Sequence, residues 1–327
     1  MQDTFSGIWV PLVTPFTADG RVDTARLAAL ARHLAFAGIR GFVVCGTTGE
    51  PATLDDQEKA KVLDTVAAAC PGVPLVMGVG GIAPRDVAAQ CRRWSEAQDL
   101  AGFLVAPPAY VRPSQRGLVD FFAEVAATAP KPLVVYDIPY RTGVEMSLPT
   151  LRVIAQLPNV AALKDCGGDA RKTQALIADG RLAVLAGDDH QIFTTLCQGG
   201  RGAIAASAHL HPRAFVAMHE AVMAGRWLDA RRLHHGLAPM IAAAFAEPSP
   251  GPLKGMLARL GQLEPGVRAP MTPAGPDALR VLQAAHPAAA GLARAWSGSR
   301  TARRGPATRH PVPPPPPVLG GGNELAE

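Results

Sequence analysis

Aromatic residues make up only 5 % of this 327-residue chain, and tyrosines number just three, Tyr110, Tyr136 and Tyr140. Charged residues are also scarce, at 18 % against 48 % hydrophobic. That balance excludes a disordered or nucleic-acid-coating protein, which needs high charge and few apolar side chains. The five cysteines (Cys45, Cys70, Cys91, Cys166 and Cys197) are odd in number, widely spaced and never in a CxxC pair. Neither a zinc ribbon, a dithiol redox centre nor a disulfide framework is expected, and a reducing cytoplasm fits best. No run reaches the roughly 18 uninterrupted apolar residues of a membrane span. The start, with Asp3 and no basic segment before an apolar run, does not read as a secretion signal.

The formal charge of +5 is basic, but part of it sits at one end. From Ser297 onward Arg300, Arg303, Arg304 and Arg309 face Glu324 and Glu327, four minus two, so +2 of the +5 belongs to that end. The body is close to neutral and has no basic stripe, which argues against a nucleic-acid partner.

What is present is alternation. Short apolar runs at Ile8–Val13, Gly41–Cys45, Pro74–Gly78, Gly102–Ala106, Leu133–Tyr136, Val160–Lys164, Leu182–Ala186 and Gly202–Ala206 read as strands. Helix-opening signals separate them, such as Asp23-Thr24-Ala25-Arg26, Thr53-Leu54-Asp55-Asp56 and Pro84-Arg85-Asp86. Strand–helix alternation implies parallel pairing through crossovers. Eight such units predict an α/β fold, a TIM (β/α)8 barrel, over residues 1–225. His211–Ala224, Trp227–Phe245 and Pro252–Leu260 read as helices, the last two within a small C-terminal helical annex over 226–296. Residues 297–327, with the run Pro313 to Pro317, cannot bury a core and are expected to be disordered or polyproline II.

Lys164 is the first chemical anomaly, because it ends an apolar strand where a barrel presents its active site. Lysines are almost never buried without a reason. Desolvation lowers a lysine pKa and leaves a neutral amine able to attack a ketone. The alternative is a lysine salt-bridged to Asp165, and position alone leaves both open. Gly46-Thr47-Thr48-Gly49-Glu50 offers backbone N–H groups and hydroxyls suited to a carboxylate or phosphate, or is an ordinary glycine-rich loop. It is not a P-loop, and Gly78-Val79-Gly80-Gly81 does not complete a dinucleotide fingerprint. Tyr136 at a strand end is a candidate proton shuttle and Arg141 a candidate carboxylate clamp, against a half-buried aromatic and a surface ion pair. His209-Leu210-His211 lacks the supporting ligands of a metal site. Asp188 or Asp189 reads as a helix N-cap.

Together these motifs resemble the dihydrodipicolinate synthase and N-acetylneuraminate lyase family of class I aldolases. The resemblance runs from about Phe5 to Ala274. It is carried by Gly46 to Glu50, Arg112-Pro113-Ser114-Gln115, Tyr136 to Gly143, Leu163-Lys164-Asp165, Leu185 to Asp189 and Pro270-Met271-Thr272-Pro273. It implies that Lys164 forms an imine with pyruvate, that Thr47 relays protons with Tyr136, and that Thr48 holds the pyruvate carboxylate. It further implies that Tyr110 reaches a neighbouring subunit's site and completes the proton relay, that Arg141 binds the carboxylate of an aldehyde, and that Gly187 and Ile204 line the pyruvate pocket. No metal or organic cofactor is implied, and the assembly is expected to be a homotetramer, at least a dimer.

Thr47-Thr48 and Arg141-Thr142-Gly143 favour the synthase branch, in which the aldehyde is aspartate semialdehyde. Three departures leave another sugar-acid or 2-oxo acid aldolase or dehydratase open, and so is a catalytically silent ligand-binding barrel. Asp165-Cys166-Gly167-Gly168-Asp169 replaces a common Glu-Ala-Thr-Gly, Asp137 an asparagine, and Ser249-Pro250 an Asn-Pro. Lysine feedback is expected to be weak or absent, because the positions that bind lysine in inhibited relatives correspond to Lys59, Ile82 and Ala109.

Overall fold

The computed structural model describes residues 4–286. The expected tail, and the part of the expected annex beyond residue 286, lie outside the described residues. Eight runs form strands: β1 (Gly7–Pro11), β2 (Gly41–Val44), β3 (Leu75–Val79), β4 (Gly102–Val105), β5 (Leu133–Asp137), β6 (Val160–Asp165), β7 (Ala183–Ala186) and β8 (Gly202–Ile204). They pair in chain order, all parallel, and β8 pairs back onto β1 to close the barrel. This is the expected TIM barrel.

Two strands stop two residues earlier than expected. β1 stops at Pro11, which has no N–H to give the ladder, although Leu12 N still donates to Val43 O at 3.0 Å. β8 stops at Ile204 because Ser207–His209 already form a 3₁₀ turn.

The connecting helices are α1 (Thr24–Phe36), α2 (Asp56–Ala69), α3 (Pro84–Ala97), α4 (Gln115–Thr128), α5 (Pro139–Thr142), α6 (Leu148–Ile154), α7 (Ala170–Asp179), α8 (Ile192–Cys197) and α9 (Pro212–Met223). Their starts follow from local chemistry. The Asp23 side chain accepts from Arg26 N to cap α1. Asp55 and Glu58 form a reciprocal capping box on α2, and Pro84 opens α3 at a position that needs no N–H. Beyond the barrel come α10 (Trp227–Ala244), α11 (Gly251–Arg259) and a further helical stretch, residues 276–286. No helix of the described residues is long and apolar enough to cross a membrane.

Strand side chains alternate between two apolar layers. Phe42, Val44, Met77, Phe103, Val105 and Leu163 face outward onto the helices, in one cluster that also takes in Leu253 and Leu257 of α11. Val43, Val76, Leu104, Val134, Tyr136, Leu185 and Ile204 face inward and fill the barrel. Among the described residues the annex thus adds to the outer core and builds none of its own.

One irregularity in this alternation positions the chemistry. Leu133 lies opposite Val160, but Val134 lies opposite Ala162, so β6 carries one extra residue. Both Ala161 and Ala162 consequently face the barrel interior. The bulge advances the remaining residues by one, which sets Lys164 level with Tyr136.

Candidate active site

Lys164 points inward from the C-terminal half of β6, between Tyr136 on β5 and Leu185 on β7. It is 5 % exposed, and its Nζ lies 4.1 Å from the centroid of the Tyr136 ring. The salt bridge to Asp165 that position alone left open is not formed. Neighbours on a strand face opposite sides, and the Asp165 carboxylate instead accepts from Gly167 N at 2.8 Å and from the Thr173 hydroxyl. Burial pulls the Lys164 pKa below its ordinary value; Cys166 and Asp189 oppose the shift and Arg141 adds to it.

Thr47 and Thr48 lie on a 3₁₀ turn, Thr47–Gly49, directly beyond β2. Gly49 is needed there because a β-carbon would sit 2.9 Å from Leu12 O. Gly78, at the end of the neighbouring strand, has the same function more acutely, since a β-carbon would lie 2.2 Å from Cys45 O. Thr48 is buried, whereas Thr47 reaches toward the Tyr136 hydroxyl. Burial holds the Tyr136 pKa well above its ordinary 10.0; Cys166 and Tyr140 push the same way, and the Thr47 hydrogen bond pulls it down.

Arg141 is carried by α5, a single turn after β5, with its guanidinium 5.6 Å from the Tyr140 ring centroid. Gly187 leaves space directly over the lysine. A β-carbon at that position would fall 2.5 Å from Cys166 Sγ and 2.8 Å from Lys164 Cγ.

The structure brings Thr47, Thr48, Tyr136, Arg141, Lys164, Gly187 and Ile204 into one cleft of about 400 Å³. Tyr110 is outside that lining and is 91 % exposed. Sequence reasoning missed Cys166, His190, Phe245 and Glu247 as lining residues. Cys166 was legible in principle, because it follows Lys164 by two positions and its N–H extends the strand pairing to Asp137 O at 2.8 Å. Phe245 and Glu247 come from beyond the barrel and carry no local signal.

Asp188 and Asp189 divide the role expected of either. Asp188 caps the next turn by accepting from His190 N at 3.0 Å. Asp189 is buried and accepts from Ser207 N at 2.7 Å and from the Ser207 hydroxyl. Burial raises its pKa, and the Ser207 bonds oppose that. His209 is also buried. Its Nε2 accepts from Val13 N at 3.3 Å, which leaves Nδ1 to donate to Ala206 O at 2.7 Å. Burial drops its pKa to about 4, so the ring is a neutral brace between the β1 and β8 ends. Among the described residues, no His, Cys, Asp and Glu cluster is arranged to hold a metal ion.

Comparison with known proteins identifies the family. Residues 4–288 match the model of the Dihydrodipicolinate synthetase family. The 4-hydroxy-tetrahydrodipicolinate synthase of Sorangium cellulosum is 38 % identical over 279 residues, spanning 84 % of this chain and 92 % of its own. That of Methanothrix thermoacetophila is 36 % identical over 272 residues, spanning 82 % and 92 %. Among solved structures, dihydrodipicolinate synthase from Thermotoga maritima superposes with a TM-score of 0.85 at 27 % identity, over 88 % of this chain and 99 % of that one. A monomeric dihydrodipicolinate synthase variant gives the same TM-score of 0.85 at 27 % identity, over 89 % and 98 %. The chain belongs to the dihydrodipicolinate synthetase family.

Proposed function

We propose that this protein is a 4-hydroxy-tetrahydrodipicolinate synthase, a lyase that joins pyruvate to aspartate semialdehyde through a Schiff base on Lys164. The observation that carries the reading is a buried lysine with no ion pair, in one cleft with Thr47, Thr48, Tyr136 and Arg141. Its depressed pKa supplies the neutral amine that imine formation needs.

In this mechanism the Lys164 amine attacks C2 of pyruvate, and the ketone oxygen leaves as water. Thr48 and the amides of its turn hold the pyruvate carboxylate. Tyr136 takes the proton from C3 of the iminium as it hands its own hydroxyl proton to Thr47, whose proton passes on to solvent, giving an enamine. The enamine carbon attacks the aldehyde carbon, whose oxygen takes up a proton. The amine of the aldehyde substrate then displaces Lys164 as the ring closes. Arg141 binds the aldehyde's carboxylate, while Asp188 and Glu247 in the same lining suit its ammonium group.

A second reading, an aldolase of the same family acting on another aldehyde such as a sugar acid, is favoured by Cys166. That residue departs from the family pattern and lies inside the cleft. The deciding experiment is a coupled assay with pyruvate and aspartate semialdehyde. Turnover supports the synthase; an imine with no turnover of this aldehyde supports the second reading. A silent barrel would form no imine at all. We further read the protein as cytoplasmic, because its cysteines are free, and as a homo-oligomer, a tetramer by its family resemblance; Tyr110, 91 % exposed beside a cleft it does not itself line, calls in that reading for at least a dimer.

A further inference from the structure

The turn that carries Thr47 and Thr48 ends in a strained residue. Glu50 has φ +57°, in the left-handed region that side chains other than glycine rarely adopt. Such strain persists only where the surroundings over-determine it. Here they do. Glu50 is buried, its Oε1 accepts from Lys254 Nζ at 2.7 Å, and its Oε2 accepts from Arg268 N at 2.9 Å. Lys254 is 0 % exposed and also donates to Thr14 O at 2.9 Å. The Thr14 hydroxyl in turn donates to Gly49 O at 2.7 Å. Arg268 donates to Thr53 O at 2.6 Å, and the Phe16 ring lies 4.2 Å from the Lys254 cation and 4.4 Å from that of Arg268.

The segment after β2 is therefore gripped at Gly49, Glu50 and Thr53. The cations that grip it come from α11 and the chain beyond it. Neither Glu50, Lys254 nor Arg268 lines the catalytic cleft. A buried ion pair adds little stability over an apolar pair of similar size, and its better-attested use is to fix one geometry. The geometry fixed here is that of the turn whose amides and Thr48 hydroxyl open into the cleft.

We propose that the Glu50–Lys254 pair is a positioning device. The annex holds Glu50 in its left-handed conformation and thereby sets the Thr47–Thr48 turn to receive a substrate carboxylate. This rests on the Schiff-base reading for the identity of the ligand. Its signature is weaker pyruvate binding with the covalent step preserved.

Two measurements on the full chain test it. The first is borohydride trapping of the imine against pyruvate concentration, in Lys254→Met and in the double variant Glu50→Gln/Lys254→Met. The double variant leaves no unpaired buried charge, so it keeps the test open where the single variant unfolds. The expected result is a half-saturating pyruvate concentration raised about tenfold, the effect of one lost charge-assisted contact, with the same adduct at saturation. Folded variants that keep the wild-type half-saturation overturn the proposal. The second measurement is amide hydrogen exchange of the wild-type protein. Residues 46–53 and 251–259 should share one level of protection. A 46–53 segment that exchanges freely beside a protected α11 overturns the proposal whether or not any imine forms.

Discussion

Lys164 lies in a barrel interior with a ring on one side and no ion pair, and burial that outweighs the more distant Asp189 charge is the origin of its reactivity. Its lowered pKa means that imine formation should rise with pH and level off below the 10.5 of an ordinary lysine. Tyr136, pushed above 10.0, sets no limit until still higher pH. Because Arg141 helps depress Lys164, Arg141→Ala should raise the lysine pKa and move the rising limb to higher pH. Trapping rates measured across pH check this, and an unmoved limb would contradict it. Gly187→Ala would put a methyl within 3 Å of both Cys166 Sγ and Lys164 Cγ. It should reduce imine formation at least about tenfold, while the melting temperature moves little, because only the cleft is filled. At this scale the sequence was most informative where residue type is rare for its setting: a lysine on an apolar strand, tyrosines in a chain that has three. It said nothing of Asp189 as a buried acceptor, since nothing local marks Ser207 as its partner.

The elements were legible through period and punctuation. Caps at Asp23 and Asp55 and the opening Pro84 marked the helices, and apolar runs marked the strands. The β6 bulge was not legible, because three alanine and valine residues in a row carry no signal of which one is extra. A long-range link between elements was equally hidden. Lys172 on α7 donates to Asp137 at the end of β5, at 2.9 Å, with both side chains buried. Asp137 is the departure from the usual asparagine, and Lys172 is the cation that compensates it. Lys172→Met should therefore destabilise the fold by about 3–5 kcal/mol by leaving a buried carboxylate unpaired. Asp137→Asn combined with Lys172→Met should recover most of that loss. Urea unfolding of the two variants measures the difference, and equal destabilisation in both would contradict the pairing.

At the scale of the molecule, the barrel was readable because eight repeats leave few other closures. The annex was readable only as helices, not as the source of Phe245 and Glu247 in the cleft. Behind Thr47 lies a second cavity of about 300 Å³, which Lys59 lines. A fixed cation there disfavours a cationic effector, so L-lysine should leave the rate unchanged at sub-millimolar concentration. Half-inhibition in that range would contradict the expectation. On the proposed dimer-based assembly, Tyr110→Phe should slow proton transfer and leave imine formation intact, with sedimentation reporting an unchanged assembly.

The identity of the reactive amine has a direct measurement. The protein is incubated with pyruvate, reduced with borohydride, digested and mapped by mass spectrometry. The expected result is a single reduced pyruvate adduct, on Lys164, that is lost in Lys164→Ala. No adduct, or an adduct on Lys59, Lys172 or Lys254 in its place, would contradict it.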